Sequence, residues 1–307
     1  MDAGALLNIM SQYGLTDVKF NEPMKNHATW RIGGPADIFI RPHSVEEVQQ
    51  AVRVARELQM PYTVIGRGSN LLVLDGGIRG IVIQLHDNLA DIAIDGNRLL
   101  AQAGRSLVSA ANISLKHDLL GMEFATGIPG SVGGAVMMNA GAHGGEVKDV
   151  LEFVDVVDET GALRRYSNAD LKFKYRYSLL KDRKMIAVNA VFLLAKGDGQ
   201  EAIAKVKEWS TRRATTQPLS MPNCGSVFRN PEGTHAGYLI ETAGLKGLRR
   251  GDAQISEKHA NFIVNLGSAS ASDVLSLMRH VQETVRDRYA IELETEVRMI
   301  GEPASGR

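Results

Sequence analysis

Between residues 126 and 145 the chain carries seven glycines and no Asp, Glu, Lys or Arg. Fixing a glycine costs more backbone entropy than fixing any other residue. Such density in an uncharged stretch therefore serves tight packing or the close approach of backbone to a large flat ligand. Pro129-Gly130-Ser131-Val132-Gly133-Gly134-Ala135 precedes Asn139-Ala140-Gly141-Ala142, and the segment reads as a loop. A shorter glycine loop, Gly66-Arg67-Gly68-Ser69-Asn70, follows the apolar run 62–65. It is not a dinucleotide fingerprint. Position 71 is leucine where a third glycine is needed, and residues 71–74 predict a strand instead of the helix whose N-terminus faces a pyrophosphate. A loop between two strands can still hold phosphate through successive backbone N–H groups, with Ser69 and Asn70 adding donors. An ordinary turn fits the same residues.

The rest of the chain mixes periods. Ser44 and Glu47 form a capping box before Val45, Val48, Val52 and Ala55, so 45–59 predicts an amphipathic helix. Helices are also expected at 106–118, 201–213, 236–243 and 271–289. The last carries Ser270 and Asp273 as a cap pair and Val274, Met278, Val281, Val285 and Tyr289 along one face. Strands are expected at 62–65, at 151–158 and 162–166 as a hairpin, around 173–178, at 185–195 and at 292–300. Helices and antiparallel strands interleave irregularly, which points to an α+β fold. With 307 residues two or three domains fit, and Lys196-Gly197-Asp198-Gly199-Gln200 is the best linker candidate.

Charge narrows the partners. Lys+Arg and Asp+Glu are 35 each, so nothing pulls the whole chain toward nucleic acid or an anionic membrane. No run reaches the ~18 apolar residues of a membrane span. Met1-Asp2-Ala3-Gly4 lacks the basic start of a signal peptide. Cys224 is the one cysteine, which excludes an intrachain disulfide and a multi-cysteine metal site. The expectation is a cytoplasmic protein with no metal, no nucleic acid, no membrane and no obligate protein partner.

Read alone, the polar candidates stay open. In 172–177 an alternating strand would place Lys172, Lys174 and Arg176 on one face and Phe173, Tyr175 and Tyr177 on the other. A solvated basic face explains that pattern equally well. In 292–299, Glu292, Glu294, Glu296 and Arg298 share a face, and periodicity does not select among the glutamates. Ser226 is a loop serine, and Cys224 suits a small buried thiol.

The segments Thr29-Trp30-Arg31-Ile32-Gly33-Gly34-Pro35-Ala36, 66–70, 128–142, Tyr175-Arg176-Tyr177-Ser178 and Asn223-Cys224-Gly225-Ser226-Val227-Phe228-Arg229-Asn230-Pro231 occur in a telling order. Ser256-Glu257-Lys258-His259-Ala260-Asn261-Phe262 and Glu294-Thr295-Glu296-Val297 extend it. Together they resemble a flavin-binding domain of the vanillyl-alcohol-oxidase type and, more closely, the UDP-N-acetylenolpyruvoylglucosamine reductase family, over about residues 20 to 300. The resemblance implies a two-lobed FAD-binding domain at 1–198, with lobes about 1–80 and 81–198. A smaller α+β substrate-binding domain at 199–307 would follow, its terminal strand 292–300 returning toward the active site. It implies noncovalent FAD held by Gly66, Arg67, Gly68, Ser69 and Asn70 and by Ile128, Pro129, Gly130, Ser131, Gly133, Gly134, Ala135, Asn139, Ala140 and Gly141. His143 is a conceivable covalent attachment point, though a plain loop residue is the simpler reading.

The family reaction takes hydride from NADPH to flavin N5 and on to the vinyl carbon of a UDP-N-acetylglucosamine enolpyruvyl ether. The resemblance assigns Arg176 to the substrate carboxylate, Ser226 as proton donor and Glu296 as their partner at the enol intermediate. Tyr175, Arg213 and Asn230 are the implied substrate contacts. Arg212, Arg229, Arg249 and Arg250 are further candidates for the pyrophosphate. One departure is visible. The longer subtype's extra tyrosine-bearing loop has no counterpart between 178 and 200, so the chain resembles the shorter subtype. Another flavin oxidoreductase of the superfamily, or a sugar-nucleotide-binding protein without activity, are the competing readings.

Overall fold

The computed structural model describes residues 3–304. The reading of the N-terminus includes Met1 and Asp2, which lie outside them. The chain divides by packing into two compact units. The first takes the chain up to Phe20, then Ile38–Arg67 and Gly80–Thr211. The second takes Asn21–Asp37, Gly68–Arg79 and the chain from Arg212 onward. Packing thus groups two early segments with the C-terminal third.

The first unit begins with α1 (Ala3–Gln12) and α2 (Val45–Glu57) beside a four-stranded sheet ordered Val18–Pro23, Pro35–Ile40, Ile78–Gln84, Tyr62–Ile65. The Ser44 hydroxyl accepts from Glu47 N–H at 3.2 Å and starts α2. The Glu47 carboxylate in turn takes the His43 N–H. Val48, Val52 and Ala55 are buried as their spacing predicts, against Ile38, Ile40, Ile81 and Ile83. After Ile65 the chain enters a second strand, Leu71–Val73, and not a helix, which bears out the rejection of a dinucleotide fingerprint.

The larger part of this unit is a five-stranded antiparallel sheet, ordered Leu163–Ser167, Leu151–Val157, Ile186–Leu193, Arg98–Gln102, Ile92–Asp95. The expected hairpin of 151–158 and 162–166 is present in it. Asp95 pairs with Arg98 across Gly96, and Asp158 caps the turn to the next strand through Thr160 and Ala162 N–H. Helices α3 (Leu107–Lys116) and α4 (Val132–Met138) cover the sheet with a core of Leu99, Leu107, Val136, Val154 and Phe192. Helix α4 corrects the sequence reading, which treats the whole glycine-rich segment as a loop. Ser131 caps it by accepting from Gly134 N–H at 3.3 Å, and Gly133 lies so close to Ala103 that a side chain would clash. These glycines let a helix lie flat on the sheet.

Three further expectations are corrected. Residues 196–200 are not a free linker. Ala195–Lys196 pairs with Leu119–Leu120, and α5 (Gly199–Thr216) begins at once, with Gly199 N–H bonded to Asp118. Residues 172–177 are not a strand. Lys172 takes a left-handed conformation after the single turn Ala169–Leu171, and Lys174 and Tyr177 then close a two-residue turn by exchanging N–H···O bonds of 3.1 Å. The 292–300 strand is short. Only Arg298–Ile300 pairs regularly, with Leu71–Val73 and in parallel, while Thr295 bridges Phe228. Its alternation survives in the burial of Leu293 and Val297.

The second unit holds α6 (Ala236–Thr242), α7 (Ala271–Tyr289) and a three-stranded sheet of Arg249–Arg250, Ala253–Ile255 and Ile263–Asn265. Helix α7 is as predicted. Ser270 and Asp273 close a reciprocal capping box with two bonds of 3.0 Å, and Val274, Met278, Val281 and Val285 are buried. Trp30 is wholly buried among Phe228, Ile263 and Leu277, and its indole N–H donates to the Ile263 carbonyl. This explains the motif around it, because an indole N–H buried without an acceptor is costly. Among the described residues no helix is long and apolar enough to cross a membrane.

Candidate active site

In the first unit the two glycine segments meet. A side chain at Gly66 would run into the Ser131 hydroxyl. Gln84 donates to the Gly66 carbonyl, and Leu107 N–H to Gly130 O at 3.1 Å, so both segments are pinned to neighbouring strand and helix. Val132 and Gly133 donate to Arg105 and Ala103 carbonyls, both at 2.9 Å. Around this junction the Nε–H groups of Arg67 and Arg105 are buried without a protein acceptor. Arg67 pairs with Asp87 through its other nitrogen, and Arg105 with Ser109. Two unanswered guanidinium donors beside this tightly packed junction suit an anionic cofactor such as FAD. Ile128, Pro129, Gly130, Ala135, Ala140 and Gly141 lie along the same segment.

Asn139 has a different task for its side chain. It is fully buried, donates to Glu146 and to the Lys174 carbonyl (2.8 and 3.1 Å), and accepts from Lys148 N–H at 2.9 Å. Only its backbone remains for a ligand. Ser131 likewise serves α4 as its cap.

Arg176 occupies the third position of the turn closed by Lys174 and Tyr177, with φ of 54°. That place in such a turn usually belongs to glycine, and an ordinary side chain there costs on the order of 1 kcal/mol or more. Its guanidinium donates to the Gly141 carbonyl at 3.1 Å and lies 4.9 Å from the Tyr175 ring, which is 52% exposed.

The loop 66–70 runs across the division, with Gly68, Ser69 and Asn70 in the second unit. There Gly68 accepts from Thr29 N–H, and Thr29 Oγ1 donates to the Asn223 carbonyl at 2.7 Å. Asn70 donates to the Glu296 carbonyl (3.2 Å) and accepts from Arg298 N–H, which gives its side chain a role in placing Glu296.

Ser226 is presented by a knitted loop. Asn223 takes the Gly225 N–H and donates to the Pro218 and Met221 carbonyls. Immediately beyond Ser226, Asn261 clamps Phe228, accepting its N–H at 2.9 Å and donating to its carbonyl at 2.8 Å. Glu296 N–H donates to Val227 O at 2.8 Å, and Arg229 N–H to Glu294 O at 2.9 Å. The sequence-distant Ser226 and Glu296 are thereby held on adjoining backbone. Cys224 is buried, and burial pushes its thiol well above its ordinary pKa, with the Glu296 charge adding to the shift. A thiol so suppressed is no nucleophile.

A cavity of about 480 Å³ in this unit is lined by Ser226 and Asn230. Asn230 Oδ1 accepts from Ala236 N–H at 3.1 Å. His235, Tyr238, Lys258 and His259 also line it. Sequence reading did not single these four out as site residues. Their only signal was membership of the segment 256–262 for two of them. Burial, with the Lys246 charge second, holds the His259 imidazole below its usual pKa. Its Nδ1 accepts from Asn261 N–H at 3.2 Å, which places the proton on Nε2. Lys258 donates to the Ala214 carbonyl. Arg213 bonds Gln217 at 2.6 Å and does not line this cavity, and Arg249 is paired with Asp252. Arg176 and Tyr175 belong to the first unit.

Comparison with known proteins adds the decisive observation. Residues 36–167 match the FAD binding domain model, and residues 217–300 match the C-terminal domain model of UDP-N-acetylenolpyruvoylglucosamine reductase. A reductase of that name from Exiguobacterium sibiricum is 48% identical over 94% of this chain and 94% of its own. The chain belongs to the UDP-N-acetylenolpyruvoylglucosamine reductase family. The Caldanaerobacter subterraneus reductase is 45% identical over 92% of this chain and 93% of its own. The crystal structure of the Thermus caldophilus reductase superposes with a TM-score of 0.80 at 37% identity, covering 92% of this chain and 98% of that one. A berberine bridge enzyme variant, 14% identical with a TM-score of 0.50 over 73% of this chain and 51% of its own, shares the fold alone. Family membership makes this chain an FAD-containing oxidoreductase with an α+β fold, as its sequence pattern implies.

Proposed function

We propose that the chain reduces the enolpyruvyl ether of UDP-N-acetylglucosamine to UDP-N-acetylmuramate for peptidoglycan precursor synthesis, with NADPH as reductant. The observation that carries this reading is the second unit's cavity, with Ser226 and Asn230 on its wall and Glu296 held on the backbone beside Ser226. FAD, held by the first unit's residues, would supply two-electron hydride chemistry there.

This chain's residues do the rest. As hydride arrives, negative charge grows on the neighbouring carbon and its carboxylate. The Arg176 guanidinium answers that charge with paired N–H donors. The Ser226 hydroxyl gives the carbon its proton and is re-protonated from solvent or a neighbour. Glu296 orients the enol and the serine. Asn230 lines the cavity with an amide suited to a phosphate oxygen of the UDP group, and Tyr175 and Arg213 contribute to substrate binding. The first unit holds the cofactor, through Gly66, Arg67 and the 128–141 segment, and the second holds the nucleotide sugar. We place the reaction in the cytoplasm, where UDP-sugars and reduced pyridine nucleotide are available.

The test is a visible spectrum under anaerobic conditions. Flavin absorbance should bleach with NADPH and return on adding enolpyruvyl-UDP-N-acetylglucosamine. Bleaching without recovery would remove the substrate assignment, and absence of any flavin band, even after adding FAD, would remove the whole reading.

A further inference from the structure

Arg176 is held at the root of a very small hairpin. Its guanidinium donates to the Gly141 carbonyl, and Gly141–Ala142 pairs with Gly145–Glu146 through only two residue pairs. The turn between them is His143-Gly144, with φ of 54° and 85°, the two positive values of a type I′ turn. Strands this short do not hold a hairpin in place by themselves. Its root is tied by Asn139, which joins Glu146 on one side to the Lys174 carbonyl on the other. Its tip is tied differently. The exposed His143 ring lies flat on the indole of Trp209, with centroids 4.1 Å apart and planes 7° apart. Trp209 stands on α5, and Lys205 sits 5.4 Å from the same ring.

We propose that Trp209 is a positioning residue for Arg176, acting through its stack on His143. The stack fixes the hairpin tip, the hairpin fixes the Gly141 carbonyl, and that carbonyl aims the guanidinium. The inference rests on the reading of Arg176 as the group that meets the substrate carboxylate. A small displacement matters there, because about 1 Å of misplacement costs on the order of 10²-fold in rate.

The experiment measures the two half-reactions of the holoenzyme separately by stopped flow. Trp209→Ala should slow recovery of flavin absorbance by the enolpyruvyl substrate roughly tenfold, with FAD content and the NADPH-driven bleaching unchanged. Trp209→Phe and His143→Tyr keep a stacked ring and should stay within about twofold of wild type. Amide hydrogen exchange should accelerate across 141–146 in Trp209→Ala and not in Trp209→Phe. In an Arg176→Ala background, Trp209→Ala should add nothing to the loss, since residues acting as one unit are not additive. If Arg176→Ala slows recovery while Trp209→Ala leaves it alone, or slows it equally in both backgrounds, the positioning role is overturned and Arg176 keeps its assignment. If Arg176→Ala itself leaves recovery unchanged, the underlying reading of Arg176 fails instead.

Discussion

The candidate residues of the two units are made of different material. In the first unit the cofactor residues act mainly as backbone, where Gly66 leaves room for Ser131, α4 lies flat through Gly133, and the polar side chains of Asn139 and Ser131 are turned inward. In the second unit the proposed site residues Ser226, Asn230 and Glu296 act through side chains, with Asn230 held by its own bond to Ala236 N–H and the backbone beside Ser226 and Glu296 held by neighbouring bonds. A flat ligand that stays bound needs surface cleared for it, and a reacting ligand needs donors and acids at fixed points. Substitutions should therefore divide cleanly. Changes in the first unit's glycines should cost cofactor, and changes around Ser226 should cost the second half-reaction.

Arg176 tests that division hardest, because the proposed function gives it a working side chain in the backbone-dominated unit. Arg176→Ala should lower the rate of substrate-driven flavin recovery by about 10²–10³-fold, with FAD retained, as read by stopped-flow absorbance. Loss of FAD instead would move Arg176 to the cofactor side. Gly66→Val places a branched side chain against Ser131, and overpacking of this kind costs about 1–3 kcal/mol. Purified protein should show FAD binding weakened by roughly 10–100-fold in a fluorescence titration. Undiminished affinity would mean that the junction of the glycine segments is not the cofactor's bed.

Asn261→Ala removes the partner of the Phe228 N–H and carbonyl, both on a buried residue. A loss of about 2 kcal/mol in chemical denaturation is expected, together with a slower second half-reaction and full FAD content. Normal turnover would show that Ser226 is held by its own loop alone. The smallest effect concerns a region away from either half. The Asp158 carboxyl is held down to about 2 by the Thr160 hydroxyl first and by the Thr160 and Ala162 N–H groups. Its folded pKa lies below the ordinary 3.8, so its contribution to stability is whole above that value and disappears as pH falls toward about 2. Asp158→Asn should flatten the acid side of the stability profile without touching either half-reaction.

The sequence disclosed these two halves unequally. Helix α7 was legible to its cap because Ser270, Asp273 and four buried apolar residues repeat a helical period over five turns. The turn at 174–177 was not, because Lys-Phe-Lys-Tyr-Arg-Tyr alternates like a strand and nothing local announces a left-handed arginine. The glycine segment was legible as a place where backbone comes close to something. The helix inside it was hidden, since glycine is a poor helix former and tertiary packing overrides that preference. The part of the cavity lining with His235 and His259 is assembled from separate segments and has no periodic trace. The assignments of Arg176, Ser226 and Glu296, like those of Tyr175, Arg213 and Asn230, rest on the family motif alone. Residue spacing alone leaves a basic face, a loop serine and four equivalent positions on a terminal strand.

The most direct test is an anaerobic visible spectrum of Ser226→Ala, recorded after NADPH and then after enolpyruvyl-UDP-N-acetylglucosamine. The account predicts flavin absorbance that bleaches as in the unaltered protein and then recovers at least about 10²-fold more slowly. Recovery at the unaltered rate would contradict it, and so would a protein that no longer bleaches with NADPH, since then Ser226 would not serve the second half-reaction alone.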